Sequence, residues 1–303
     1  MKRRFWLRLL IVLLLIAGLE IALRFFGFGS YPIYYESDVY EYAFVPSQSL
    51  KRFGNAFYIN ELGMRSSEIQ PGQRVVMGFG DSVFNGGVAL SQDELASTII
   101  DSALKKQYNN TRFTNTSAGS WGVSNAFYWL QSKEIQNPLA IVLVFSSHDY
   151  DDKMEFQDVV GEIPFYPDSQ PVSAITDALN WVYSRYFEKI QWSELKRSRI
   201  YSDNDAEYDS GWIKFIEYSR SKNVPLIVYH HPNLSESLNG EWNKKGKKLE
   251  KLLSANGVKS ISGLRVKMQE EDYRDEIHTS ASGQLKIANA ILPVVMSHLS
   301  HEK

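Results

Sequence analysis

Arg74-Val75-Val76-Met77-Gly78-Phe79-Gly80-Asp81-Ser82-Val83 is an apolar run of strand character that breaks at Gly80 and delivers an acid and a hydroxyl straight after it. Four further strand-like runs follow, at residues 112–116, 139–146, 225–230 and 258–262. Helical periods occupy 93–108, 122–135, 207–221, 241–255 and 280–298. Strands that alternate with helices predict a five-stranded parallel sheet inside a three-layer α/β/α sandwich, joined by right-handed crossovers. No internal repeat is evident.

In such sheets ligands gather beyond the carboxyl ends of the strands, so the residues just after each run carry the functional information. They are Gly80-Asp81-Ser82, then 115–122, then Ser146-Ser147-His148-Asp149, then His230-His231-Pro232, and beyond the last strand Asp275-Glu276-Ile277-His278. A serine hydroxyl becomes a strong nucleophile when a base takes its proton, and an imidazole base works best when a carboxylate fixes its tautomer. Ser82, His278 and Asp275 supply these three roles. The three-residue step from Asp275 to His278, ahead of a helix starting near Ser280, lets one loop present both side chains. Singly, a serine after a strand is usually a turn residue and an Asp-x-x-His spacing is common; their joint placement at one edge of the sheet points to catalysis.

Other chemistries have weaker support. Gly78-Phe79-Gly80-Asp81-Ser82-Val83 imitates a dinucleotide loop but lacks its third glycine, and neither a Gly-x-Ser-x-Gly elbow nor a Walker loop occurs. No cofactor is expected. The adjacent imidazoles of His230 and His231 cannot easily aim at one ion, and the chain has no cysteine, so no metal is expected either. One of these imidazoles lines the cleft, or the pair is structural. Asp81 and Asn85, flanking Ser82, are further candidates for the substrate cleft. The absence of cysteine also excludes a thiolate nucleophile and disulfides. A formal charge of -2 with scattered Lys and Arg argues against a nucleic-acid partner, and 44% hydrophobic content is enough for a large core.

Gly80-Asp81-Ser82-Val83 resembles the first block of the SGNH (GDSL-type) hydrolases, and Asp275-Glu276-Ile277-His278 resembles their fifth. Asn115-Thr116-Ser117-Ala118-Gly119-Ser120-Trp121-Gly122 is similar to the second block, whose glycine amide helps form the oxyanion hole. Gly119 and Gly122 are both candidates for that glycine, with Gly122 preferred. The third block of the family reads Gly-x-Asn-Asp and here reads Ser146-Ser147-His148-Asp149, so the Asn donor is missing. His148 is the expected replacement, donating from a neutral ring; the alternative is a strand-end residue bonded to Asp149 or Asp151. The resemblance runs from residue 74 to the C-terminus in the family's order. It implies a three-layer flavodoxin-like fold and serine ester hydrolysis, with an oxyanion hole made by Ser82, Gly122 and His148.

Lys2, Arg3, Arg4 and Arg8 precede an apolar run from Leu9 to Leu19 that continues past Glu20 to Phe26. Residues 5–23 approach the roughly 20 needed to span hydrocarbon. A signal-anchor over 1–29 is expected, since Ala17-Gly18-Leu19 is a weak cleavage site. The basic flank places the N-terminus in the cytoplasm and the rest of the chain outside the inner membrane. Residues 30–73, aromatic and rich in turn formers without a sustained period, read as a structural juxtamembrane stalk that packs on a hydrolase domain at 74–303. On this reading the anchor adds nothing to the core. Residues 150–204 look inserted. Within them Ile175, Leu179, Val182, Tyr186 and Ile190 share one helical face, with Trp181 and Phe187 nearby; core packing is the simplest explanation, a lid or a membrane-surface helix the alternatives. By analogy of fold, the expected substrate is a small acyl ester, first an acetylated carbohydrate of the cell envelope or an exported polysaccharide. An O-acyltransferase with the same triad, a lysophospholipase and a catalytically silent binding module are the competing readings.

Overall fold

A computed structural model describes residues 2–108, 110–133, 135, 137–186 and 207–300. Strand β5 (Arg74–Gly80) pairs in parallel with β6 (Thr111–Ser117) on one side and β7 (Ala140–Ser146) on the other. β8 (Leu226–His231) and β9 (Ser260–Ser262) continue the sheet, giving the order β6-β5-β7-β8-β9. This is the flavodoxin-like order, and the expected three-layer sheet is present. β7 is buried along its whole length, as is β5 beyond Arg74, which is why both read as continuous apolar runs.

Successive side chains on these strands enter opposite layers. Val76, Val142 and Val144 pack with Ile100 and Leu104 of α3 (Ala96–Gln107) and Ile287 and Ile291 of α9 (Ala281–Ser300). Met77, Phe79 and Leu143 pack with Trp129 of α4 (Val123–Ser132), Phe215 of α6 (Gly211–Lys222) and Leu249 of α8 (Lys244–Ala255). Gly80 lets the chain turn hard at the end of β5, because a Cβ there would lie 2.7 Å from the carbonyl oxygen of Val144.

Residues 30–73 are more ordered than their lack of period suggests. They form two antiparallel hairpins, β1 (Tyr34–Ser37) with β2 (Glu41–Phe44), and β3 (Gln48–Arg52) with β4 (Asn55–Ile59). Phe53 and Gly54, both at positive φ (51° and 88°), make the tight two-residue turn of the second hairpin. Tyr42, Phe44 and Phe57 join the same buried cluster as Trp121 and Trp129, so this segment is part of the domain's core.

α1 (Lys2–Phe25) is long and apolar enough to cross a membrane, and none of its residues is buried in the protein. The inserted helix α5 (Ala174–Tyr186) packs against it rather than into the core. Leu179, Val182 and Tyr186 are 64%, 41% and 69% exposed, which overturns the core-packing expectation. Ile190 and Phe187 lie outside the described residues. The helical period was real, but it marks a face that no described residue covers. α1 is also tied to the rest of the chain: the Glu20 carboxylate accepts hydrogen bonds from the amides of Ala174 (2.9 Å) and Ile175 (3.1 Å), satisfying otherwise orphaned N–H groups at the start of α5. Asp177, one turn on, accepts from the Gly29 amide at 2.7 Å and from Arg52 at 2.6 Å.

Candidate active site

Ser82 opens the short helix α2 (Ser82–Asn85), whose first turn is capped by Asp81 accepting from the Val83 amide at 2.8 Å. From the loop before α9, His278 places Nε2 2.9 Å from the Ser82 hydroxyl. Its Nδ1 lies 2.8 Å from Asp275 Oδ2 and 3.0 Å from Oδ1. Asp275 Oδ1 also accepts the amides of Ile277 (3.0 Å) and His278 (2.8 Å). Partial burial opposes ionisation of Asp275, but these amides and the imidazole outweigh it and hold the carboxyl below its usual range. An ionised carboxylate on Nδ1–H leaves the Nε2 lone pair for the serine proton. The loop is pinned as a unit, since the Arg274 amide donates to the His278 carbonyl at 2.7 Å and the Arg274 side chain to that of Thr279 at 2.8 Å.

His230 and His231 do not reach the cleft. Both are fully buried at the end of β8. His231 Nε2 donates to the Ile277 carbonyl at 3.1 Å, and burial pushes its imidazole down to about 3, so the ring is neutral. His230 stacks on Trp242 with centroids 3.6 Å apart, its ring nitrogens lying 2.7 Å from Glu250 and 3.1 Å from the Ser147 hydroxyl. One pair of neighbouring imidazoles thus does two structural jobs, because successive strand residues point to opposite sides.

The oxyanion expectations also need correction. The Gly122 amide is taken up by Asn125 Oδ1 at 2.9 Å, and the glycine is there because a Cβ would collide with the Asp152 carbonyl. Gly119 is the glycine that borders the cavity beside Ser82. His148 turns Nε2 toward two carboxylates, 3.4 Å from Asp149 Oδ1 and 3.7 Å from Asp81 Oδ2, and does not line that cavity. Asp149 and Asp81 are its neighbours at the strand end, but the hydrogen bond to Asp149 or Asp151 of the alternative reading is not made, and the facing carboxylate oxygens have no hydrogen-bond partner. Asp81 is buried behind Ser82 rather than in the cleft; burial, then the charge of Asp149, pushes its carboxyl up to about 7. Among the described residues, Asp81, His148 and Asp149 are the one set with metal-ligand atoms grouped within 4.8 Å. Asn85 does border the cavity, yet its amide is spent on the Ser117 carbonyl at 2.9 Å.

The cavity holding Ser82, Asp275 and His278 has a volume of about 560 Å3. Its opposite wall comes from Tyr31, Tyr34, Phe44, Arg52, Phe53 and Phe57 of the hairpin region, expected to be structural, and from Phe165, Tyr166 and Trp181 of the insertion, for which a lid was one alternative. Arg274, next to the predicted acid, completes the rim. Density of aromatics in 30–57 was the available signal. Arg65, also from the hairpin region, is fully buried and donates to the carbonyls of Asn85, Gly87 (2.7 Å) and Leu90 (2.8 Å), bracing the turn that carries Ser82.

No family model and no curated protein matches the chain. Solved structures do. The chain is similar to a member of the lipolytic G-D-S-L family from Veillonella parvula, at 14% identity over 73% of this chain and 97% of that one, with a TM-score of 0.43. It is similar to an acetyl xylan esterase at 13% identity, over 73% and 99% of the two chains, with a TM-score of 0.45. A third is an acetylxylan esterase from Geobacillus stearothermophilus, at 12% identity over 76% and 96%, with a TM-score of 0.44.

Proposed function

We propose that the chain is a serine ester hydrolase with Ser82 as nucleophile, His278 as base and Asp275 as the group that orients and stabilises the imidazolium. The observation that carries this is the continuous relay of 2.9 Å from Ser82 to His278 and 2.8 Å from His278 to Asp275, open to a cavity. Ser82 Oγ attacks the ester carbonyl while Nε2 takes its proton. The tetrahedral oxyanion is received by the amides of Ser82 and Gly119. Nε2–H then protonates the departing alkoxide, leaving an acyl-enzyme, and a water deprotonated by the same nitrogen releases the acid.

Two substrate classes fit this chemistry. An acetylated envelope or exported carbohydrate suits a site held outside the inner membrane by α1, its basic flank in the cytoplasm. The aromatic wall of the cavity favours an ester with a larger apolar part. In domain terms, residues 1–29 act as the anchor, and 30–73 build the far wall of a hydrolase domain that runs through 74–303. A panel of esters graded in acyl length, assayed with the full chain beside Ser82→Ala, tests the reading: Ser82-dependent turnover supports it, and turnover that survives Ser82→Ala defeats it.

A further inference from the structure

Three features outside the triad place the mouth of the cleft relative to α1. The first is a depth marker. Glu20 sits five residues before Phe25, roughly 8 Å along the helix axis, and it caps the start of α5. Crossing about 30 Å of hydrocarbon takes roughly 20 residues, nearly all of this 24-residue helix. With Lys2 to Arg4 on the cytoplasmic side, such a span runs to about residue 24, so Glu20 and the first turn of α5 lie within roughly 6 Å of the outer boundary, where hydrocarbon gives way to headgroups.

The second feature is the surface offered at that depth. α5 exposes Leu179, Val182 and Tyr186, and the loop before it exposes Val172 at 94% and Phe165 at 45%. Side chains of this kind, presented together beside a spanning helix, suit the headgroup boundary. The surface adjoins α1, whose own apolar length is covered by none of the described residues.

The third is a route. Phe28, three residues beyond α1, packs edge-on against Phe53 at 5.1 Å and Trp181 at 6.2 Å between centroids. Phe53 and Trp181 both line the Ser82 cavity, so a single layer of rings separates the anchor's end from the cleft. A second groove of about 450 Å3 shares Tyr31, Arg52, Phe165 and Trp181 with that cavity and runs along α5.

We infer that α5 lies in the headgroup layer of the bilayer crossed by α1, and that the substrate is an ester borne on a membrane amphiphile that reaches Ser82 from this layer. The substrate half rests on the esterase reading; the seating of α5 does not. The chain has no cysteine, so single labels can be introduced cleanly. Full-length protein is reconstituted in phosphatidylethanolamine and phosphatidylglycerol vesicles, with a fluorophore on Leu179→Cys or, as control, on exposed Ser254→Cys of α8. Nitroxide lipids labelled near the headgroup should quench the first and spare the second. In parallel, the double variant Leu179→Asp, Val182→Asp should hydrolyse a long-chain fluorogenic ester dissolved in the vesicles about tenfold more slowly, while soluble p-nitrophenyl acetate is turned over as before; the intact anchor keeps tethering constant.

Equal quenching at the two positions, or shielding of Leu179→Cys through crosslinks between copies, overturns the seating. Equal losses on both esters overturn the membrane route while leaving the esterase reading standing. Failure of the unaltered protein to hydrolyse either ester overturns the esterase reading and the substrate class with it.

Discussion

Nε2 of His231 donates to the carbonyl of Ile277 at 3.1 Å, one residue before His278. The bond fixes the loop that aims the proposed base, and the neutral ring cannot lose the proton it donates. His231→Phe should lower kcat by about 10- to 100-fold with little change in KM, because a small misplacement of a catalytic group is expensive in rate. The shape of the pH profile should not move, and His231→Gln should recover part of the loss. Steady-state kinetics beside a thermal melt checks this; unchanged kcat in a folded variant means the loop keeps its shape without the bond.

Arg65→Met should leave the carbonyls of Asn85, Gly87 and Leu90 without their donor. The Asn85 and Leu90 acceptors are buried while Gly87 is exposed to water, and each unsatisfied buried acceptor is worth about 1–3 kcal/mol, so a loss of about 3 kcal/mol is expected in a denaturant titration, together with reduced turnover. A loss below about 1 kcal/mol would mean that water replaces the guanidinium freely.

Asp81 gives a pH signature with a definite sign. Its carboxyl, ordinarily near 3.8, is raised to about 7 in the folded chain, first by burial and then by Asp149. The folded state therefore binds a proton that the unfolded chain releases, and this group makes stability fall as pH rises between roughly 4 and 7. Asp81→Asn keeps an oxygen for the Val83 amide and removes the linkage. Its melting temperature should exceed that of the unaltered protein at about pH 8, and the gap should narrow at about pH 5. A gap that is equal at both pH values contradicts the assignment.

His148→Ala should keep kcat within about tenfold, because Nε2 faces Asp149 and Asp81 rather than the cleft. A drop of about 10²- to 10³-fold in a variant of normal stability would return the ring to the oxyanion hole.

The sheet was legible in the sequence because β5, β7 and β8 are largely apolar runs that end in polar residues, and β5 to β9 start and stop within a few residues of their predicted positions. Ser82, Asp275 and His278 were legible for a related reason: an acid three residues before an imidazole, and a hydroxyl one residue past a strand, are local patterns. What stayed hidden depends on contacts across the chain. Gly119 and Gly122 look alike until Asn125 takes the second amide. His230 and His231 look like cleft residues until β8 is seen to bury both. The hairpins of residues 34–59 escaped notice because their buried side chains serve partners far along the chain, as Tyr42 does in donating to the Gly119 carbonyl at 2.8 Å. The face of α5 was read correctly as apolar, but a helical period does not say whether protein or lipid covers it.

The full-length protein should be treated with a fluorophosphonate probe, and the modified residue located by peptide mass spectrometry. A nucleophile activated by His278 reacts with such a probe, whereas an ordinary serine hydroxyl does so far more slowly. Labelling at Ser82, lost in Ser82→Ala and slowed by orders of magnitude in His278→Ala and Asp275→Ala without additivity between the last two, is the expected result. A folded protein that takes no label, or takes it equally after Ser82→Ala, would contradict the triad and the esterase function built on it.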